Sequence, residues 1–305
     1  MTLMCRTATT FAPDGSLDET ALARYLERFV DADLGVYLAS AGSGEGYALS
    51  TAERRRVYQI GVEVGAGKIS VNANPPEQHT AAAMIEQSQV AADAGVDVVN
   101  VYGPTAWHGY RPSADEMTAF FDEVLSAVRH PVAISSNAVV TTSVPATLLA
   151  DLCRRYPQVT ALNLMDVNDA YYVALRDALT RDVEIYVPVT SSYYPLAAGA
   201  TGLVGAEANL APRTYRAYLD AWAARDHPRL NQLYGHLTRL RAYLKTWPGG
   251  SPRWIKMGMV ALDLPGAAGG LRGPYRMPPP DEVNRFAEGL FALGIPEFER
   301  VAPAS

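Results

Sequence analysis

The chain has 305 residues, 49% of them hydrophobic and 19% charged, with a formal net charge of -6; at about 150 residues per domain that length fits two domains or one large α/β barrel. Leu, Val, Ala and aromatic residues are spread evenly, and no stretch combines low hydrophobicity with high like charge, which excludes extended disorder. The acidic balance lacks the basic stripe that a phosphate backbone needs, so nucleic acid is not an expected partner, and Arg54, Arg55 and Arg56 read as a solvated helix face.

Short apolar or β-branched runs alternate with longer segments of helical period, the pattern of repeated βα units. The predicted strands are Leu3–Thr10, Leu34–Ala41, Lys68–Ala73, Val98–Tyr102, Pro131–Asn137, Val159–Met165, Glu184–Thr190 and Thr201–Ala206. Predicted helices among them are Asp18–Ala32, Thr51–Val64, Ala81–Ala94, Ser113–Val128 and Thr147–Arg155. Ser50 followed by Glu53 makes a capping-box pattern, and Ser113 precedes the run from Ala114. Eight strands, each followed by a helix, predict an α/β fold, a closed (β/α)8 TIM barrel over residues 1–223. After Pro212 no strand signal remains: Thr214–Ala223, His227–Lys245, Arg253–Leu262 and Asp281–Leu293 read as helices, with a Gly/Pro-rich linker at Gly266–Pro280. Residues 224–305 are therefore expected to form a C-terminal helical domain.

Cys5 and Cys153 are the only cysteines, far apart and with no Cys or His at metal-ligand spacing, so neither a disulfide framework nor a zinc site is indicated. Met1–Thr10 has no long apolar segment, and no run of about 18 apolar residues occurs, so membrane spanning is not expected and a cytoplasmic protein is. The Gly42/Gly44 pair is too weak for a dinucleotide site, because Tyr47 stands where a third glycine is needed; no cofactor and no metal is implied. Lys68, Lys245 and Lys256 are the only lysines, so amine chemistry has three candidates.

Several loop segments, taken in order, carry a family likeness. Thr9-Thr10-Phe11 with Asp14-Gly15-Ser16-Leu17-Asp18 resembles the opening T-P-F-x-x-D-G-S-x-D of the dihydrodipicolinate synthase / N-acetylneuraminate lyase family. Ala41-Gly42-Ser43-Gly44-Glu45-Gly46 with Leu49-Ser50 and Glu53-Arg54 is similar to its G-S-T-G-E-G and L-S-x-x-E-R segments. Gly199-Ala200-Thr201-Gly202 with Ala208-Asn209, and Lys256 with Leu271-Arg272 and Pro274, resemble its later motifs. The resemblance covers essentially the whole chain. It implies a (β/α)8 barrel with C-terminal helices, a homotetramer or homodimer, and carbon–carbon lyase chemistry beside a keto acid through a lysine Schiff base at the C-terminal ends of the strands.

At the positions that carry that chemistry, the sequence departs from the pattern. The family's V-x-G-I-K segment corresponds to Val159-Thr160-Ala161-Leu162-Asn163, which puts Asn163 where the lysine belongs. An amide nitrogen, its lone pair delocalised, cannot attack a ketone. Ser135 stands in place of the relay tyrosine, and a serine hydroxyl is much less acidic than a phenol. Lys68 begins the third predicted strand, at the far end of the barrel, and Lys245 and Lys256 belong to the C-terminal helices, so no lysine is expected at the site.

Polar residues nonetheless gather at the predicted strand ends: Asn72, Asn74, Ser135, Ser136, Asn137, Asn163, Asp166, Thr190, Ser191 and Ser192. Each alone reads as hydrogen bonding to loop backbone; as a group they suggest a polar pocket. Asn163 with Ser135 or Ser136 is the candidate pair for polarising an oxygen, and Asp166 or His108 the candidate proton carrier. A helix-capping role for Asp166 and a surface-loop role for His108 are the alternatives. Ser43 and the Gly44 backbone are candidate carboxylate binders, and Glu45 reads as structural. Tyr47, Trp107, Tyr110, Tyr193 and Tyr194 are candidates for lining a pocket, with plain packing as the alternative. The leading expectation is imine-independent lyase, hydratase or cyclase chemistry on a small carbonyl or carboxylate compound. A catalytically silent ligand-binding or scaffold homologue, and a keto-acid aldolase with a displaced lysine, are the competing readings.

Overall fold

Eight parallel strands close into a barrel in the computed structural model, which describes residues 1–165 and 168–299. They are β1 (Thr2–Arg6), β2 (Gly35–Leu38), β3 (Val71–Ala73), β4 (Val98–Tyr102), β5 (Val132–Ser136), β6 (Val159–Leu164), β7 (Glu184–Val187) and β8 (Gly202–Gly205). Neighbours follow chain order, and β1 closes on β8 with Leu3 opposite Leu203. Helices cover the outer face and side chains fill the inner one, which is why the strands read as near-continuous apolar runs.

The outer ring consists of α1 (Glu19–Asp31), α2 (Thr51–Gly65), α3 (Ala81–Asp93), α4 (Ala114–Ala127), α5 (Ala146–Arg155), α6 (Asp169–Ala178), the short α7 (Tyr193–Ala197) and α8 (Pro212–Ala223). The chain continues through α9 (His227–Lys245), α10 (Gly250–Ala261), α11 (Pro280–Phe291) and α12 (Pro296–Glu299). Helix starts are set by side chains that satisfy orphan N–H groups. Both halves of a capping box form at Ser50/Glu53 and at Ser113/Glu116, and Asp18, Thr80, Asn168 and Asp226 cap α1, α3, α6 and α9.

One buried apolar cluster runs from the outward faces of the strands into α9, α10 and α11, through Leu237, Leu240, Ile255, Met257 and Phe286. A smaller one, Met4, Tyr37, Ala133, Ala161, Tyr186 and Val204, plugs the barrel interior. A clasp joins the C-terminal helices to the barrel loops: Lys256 Nζ on α10 donates to the Thr9 carbonyl at 2.6 Å and lies 3.5 Å from Glu45 Oε1. The linker is clasped as well. Arg272 donates to Gly15 and Ala48 carbonyls and forms an ion pair with Glu53, and the backbone beside Gly269 lies so near Phe11 that a Cβ there would fall 1.4 Å from the Phe11 oxygen.

Three expectations are corrected. Several strands are shorter than their apolar runs: β1 ends at Arg6, β3 begins only at Val71, and Thr190 lies in a 3-10 turn beyond β7. Past β1 the ladder continues only one residue, Thr7 N donating to the Tyr37 carbonyl of β2 at 3.1 Å, before Ala8 N turns to Asn209 Oδ1 at 3.0 Å. Second, α10 starts at Gly250, three residues before the helical run expected from Arg253, because Pro252 sits in a first turn where no N–H is needed. Third, Arg54 is no solvated residue: it is 7% exposed, donating to the Gly46 and Leu49 carbonyls at 3.2 and 3.0 Å and to Gln87. Among the described residues no helix is long and apolar enough to cross a membrane.

Candidate active site

A cavity of about 470 Å³ opens at the C-terminal ends of the strands. Its floor comes from strand ends: Arg6 of β1, Asn74 just past β3, Tyr102 of β4, Asn137 past β5, Met165 past β6 and Gly205 of β8. Ser40 and Ser43 after β2 and Glu77 after β3 add polar walls, and α9 and α10 close one side with Arg241, Leu244, Lys245, Ser251 and Trp254. The C-terminal helices are thus part of the site.

Arg6 is its most unusual member. The residue is 8% exposed; Nη1 lies 3.0 Å from Met165 Sδ, while buried Nε and Nη2 have no hydrogen-bond partner among the described residues. A buried guanidinium with free N–H groups is expensive unless a ligand or water completes it. Nearby, burial raises the Glu77 carboxyl above its ordinary value, opposed by its own backbone N–H and by Arg6. The Tyr102 phenol is also pushed up by burial, against the field of Arg6. Glu207 is neutralised by an ion pair with Arg241.

Beneath the cavity runs a file of amides. Asn163 Nδ2 donates to Tyr37 Oη and to Asn100 Oδ1, both at 2.9 Å. Ser135 Oγ donates to the same Asn100 oxygen at 2.7 Å, and Asn100 Nδ2 donates to Asn74 Oδ1 at 2.6 Å. The file ends at Asn74 Nδ2, which is buried, has no hydrogen-bond partner among the described residues and belongs to a residue that lines the cavity. Each donor in such a chain polarises the next.

The residues singled out from sequence divide into three groups. Ser43, Asn74 and Asn137 line the cavity. Asn163 and Ser135 lie one layer below it, and Ser136 Oγ is engaged in accepting from Val144 N at 3.0 Å. Gly44 packs under the loop: its carbonyl accepts from Thr9 Oγ1 at 2.7 Å and its N–H donates to Ser40 Oγ at 3.1 Å. The aromatic residues stand elsewhere. Trp107, 69% exposed, and Tyr110 pack on His79 at 5.8 and 5.3 Å, with His108 between them in the left-handed region. Tyr47 reaches the Arg272 carbonyl at 3.3 Å and packs on Tyr275; Tyr194 lies edge-on to Tyr172, Tyr193 edge-on to Trp222, and Thr190 accepts from Tyr234 through its carbonyl. Asp166 lies outside the described residues.

Sequence reasoning missed Arg6, Glu77 and Tyr102 as site residues. A guanidinium inside the apolar run Leu3-Met4-Cys5-Arg6 was the available signal for the first. It also placed no lysine at the site, whereas Lys245, the last residue of α9, lines the cavity. Lys68 precedes β3 at the opposite end of the barrel, and Lys256 is locked in its clasp at 1% exposure. Among the described residues no group of three or more His, Cys, Asp or Glu is placed to hold a metal.

An eight-stranded parallel barrel with its cavity at the strand C-termini, walled by added helices, has the architecture of a barrel enzyme. Residues 1–286 match the dihydrodipicolinate synthetase family, and the chain belongs to it. It is 30% identical over 212 residues to a 4-hydroxy-tetrahydrodipicolinate synthase of Hyphomonas neptunium, spanning 65% of this chain and 68% of the relative. It is 27% identical over 277 residues to a probable 5-dehydro-4-deoxyglucarate dehydratase of Methylobacterium radiotolerans, spanning 88% and 86%. The crystal structure of dihydrodipicolinate synthase from Aquifex aeolicus superposes with a TM-score of 0.85 at 20% identity, covering 97% of this chain and 98% of that one. The family member YagE from E. coli K12, solved in complex with pyruvate, does so with a TM-score of 0.85 at 18% identity, covering 96% and 98%. The chain is thus a lyase- or aldolase-type protein of this family.

Proposed function

We propose that this protein is an imine-independent enzyme of the family, a lyase, hydratase or cyclase acting on a small carbonyl or carboxylate compound. The observation that carries the reading is the pairing of Asn163, an unreactive amide inside β6, with the unpartnered Nε and Nη2 of Arg6 in the cavity above. Arg6 holds a carboxylate through two N–H groups, the geometry that guanidinium provides best. Asn74 Nδ2, at the end of the amide file, donates to the carbonyl oxygen. Glu77, in its ionised form, removes the proton next to that carbonyl, and the electron pair moves onto the oxygen, where Asn74 and Arg6 stabilise it. The pair then returns to expel the group on the next carbon, which leaves with a proton from Tyr102. In this scheme Asn163 and Ser135 act through Asn100 without touching the ligand.

The test is a substrate screen of 2-oxo and 3-hydroxy carboxylates, following loss of water by ultraviolet absorbance of the unsaturated product. Arg6→Met abolishes both binding and turnover on this reading, and Glu77→Gln abolishes turnover while leaving binding. Carboxylates that bind Arg6→Met as well as the parent protein contradict it. From the family resemblance of the sequence we propose further that the chain assembles as a homotetramer or homodimer, which light scattering on the purified protein reads directly.

A second reading rests on Lys245, whose place in the cavity wall makes it the amine that a displaced Schiff base would use. Reductive trapping with borohydride in the presence of a keto acid separates the two.

A further inference from the structure

We infer that the ligand carries two anionic groups, a carboxylate held at the cavity floor by Arg6 and a second anion held at the rim by Lys245, so that the substrate class is a small dicarboxylate or a carboxylate bearing a phosphate-like group. The inference rests on the proposed Arg6 site and adds the second contact. The charges around the cavity carry it. The chain as a whole has a formal charge of -6, yet among the described residues the lining holds three cations, Arg6, Arg241 and Lys245, against two acids, Glu77 and Glu207. Arg241 and Glu207 neutralise each other in a direct ion pair. Burial raises the Glu77 carboxyl, opposed by Arg6 beside it, so in its ionised form it offsets part of the Arg6 charge and leaves Lys245 untouched.

Among the described residues neither Arg6, nine-tenths buried with Nε and Nη2 lacking hydrogen-bond partners, nor Lys245 forms an ion pair. Two cations without salt-bridge partners among the described residues, on the lining of one concave site in an acidic protein, focus an attractive field on anions. They lie on different elements: Arg6 ends β1 on the floor, and Lys245 ends α9 in the wall, where it is solvent-exposed. Leu244 and Trp254 contribute apolar surface to the same wall, which suits the carbon chain joining two acidic ends. A cavity of about 470 Å³ suits a ligand of metabolite size. The position of Lys245 at a helix C-terminus also stabilises its charge through the helix dipole, and that role alone would leave ligand preference untouched.

The experiment is titration calorimetry on the full chain at low salt, with propionate and pyruvate as single-anion probes, malonate, succinate and glutarate as two-anion probes, and phosphonoacetate beside malonate. We expect the best dicarboxylate to bind at least about tenfold more tightly than propionate, a difference of about 1.4 kcal/mol. Lys245→Met erases that ratio and leaves propionate affinity in place. Lys245→Arg, which keeps the charge and loses the amine, preserves the ratio. If phosphonoacetate outbinds malonate, the second group is phosphate-like; if malonate outbinds it, the ligand is a dicarboxylate.

A ratio near one in the parent protein, or a ratio unchanged in Lys245→Met, overturns the inference. If propionate and pyruvate still bind in an Arg6-dependent way, the proposed function survives that failure. If no probe binds with dependence on Arg6, tested with both Arg6→Met and Arg6→Lys and with folding checked by circular dichroism, the carboxylate site and this inference fall together.

Discussion

Asn163 on β6 and Asn100 on β4 are joined by a 2.9 Å hydrogen bond inside the barrel, directly below the cavity. Asn163 is completely buried, and the same amide nitrogen serves Tyr37. Replacing it with Leu would remove the donor to two buried oxygens, so Asn163→Leu is expected to cost about 1–3 kcal/mol of stability by urea denaturation. Ligand affinity should fall as well, since Asn100 and Asn74 lose their fixed orientation. A variant as stable as the parent and with equal affinity would show that the file is inert.

The Lys256–Glu45 clasp ties α10 to the loop that carries Ser40 and Ser43 into the cavity. Both groups are buried, Glu45 also accepts from Arg272 N at 2.9 Å, and burial raises the Glu45 carboxyl while lowering the Lys256 amine. Removing one partner strands the other, so Lys256→Met should destabilise by about 3–5 kcal/mol, whereas Lys256→Met with Glu45→Gln should recover part of the loss. Thermal denaturation of the two variants and the parent checks the order. Equal melting temperatures for the single and double variants would contradict it.

Acid sensitivity should trace to Glu53, whose carboxyl is lowered from 4.5 to about 2 by hydrogen bonding from Arg272, against burial and with help from Ser50. A carboxyl with a depressed folded-state value contributes stability that is complete above about pH 4.5 and lost as the pH falls toward about 2. Glu53→Gln is therefore expected to lose about 2 kcal/mol at pH 7 and to narrow its deficit across that window. Urea midpoints measured from pH 7 to pH 2 would show the two curves converging; parallel curves would assign the acid response to other groups.

Gly46 follows Glu45 in the loop between β2 and α2, and a Cβ there would fall 2.1 Å from the Ala39 carbonyl oxygen. Because that obstacle is backbone, Gly46→Ala must shift the loop, along with the Arg54 contact to the Gly46 carbonyl. The expected result is a lower melting temperature and weakened binding of carboxylate probes, since Ser43 moves with the loop. Unaltered binding by Gly46→Ala would mean that the loop does not shape the site.

The barrel was legible in the sequence because a strand buried on both faces leaves a mostly apolar run: Val98–Tyr102, interrupted by Asn100 alone, coincides with β4, and the helical period of His227–Lys245 coincides with α9. Strand ends were less legible. Ala8–Thr10 carries strand-like residues, but their polar groups are taken up by loops from elsewhere in the chain, as in the bonds from Ala8 to Asn209 and from Thr9 to Gly44. Local pattern also says little about which loop residues turn inward. Trp107 and Tyr110 sit in the loop after β4, yet it carries them to His79 on the surface. Arg6 looked like part of a strand, and its role is visible only once the barrel closes around it. Lys245 lies far along the chain from the strands whose cavity it lines, a relationship set by the packing of α9 that no local motif encodes.

The most direct test of an imine-free site is reduction with borohydride in the presence of pyruvate or 2-oxoglutarate, followed by intact-mass spectrometry and peptide mapping. The account predicts an unchanged protein mass under conditions where the ligand is bound. A covalent adduct mapping to Lys245 would contradict it and establish an aldolase with a displaced lysine.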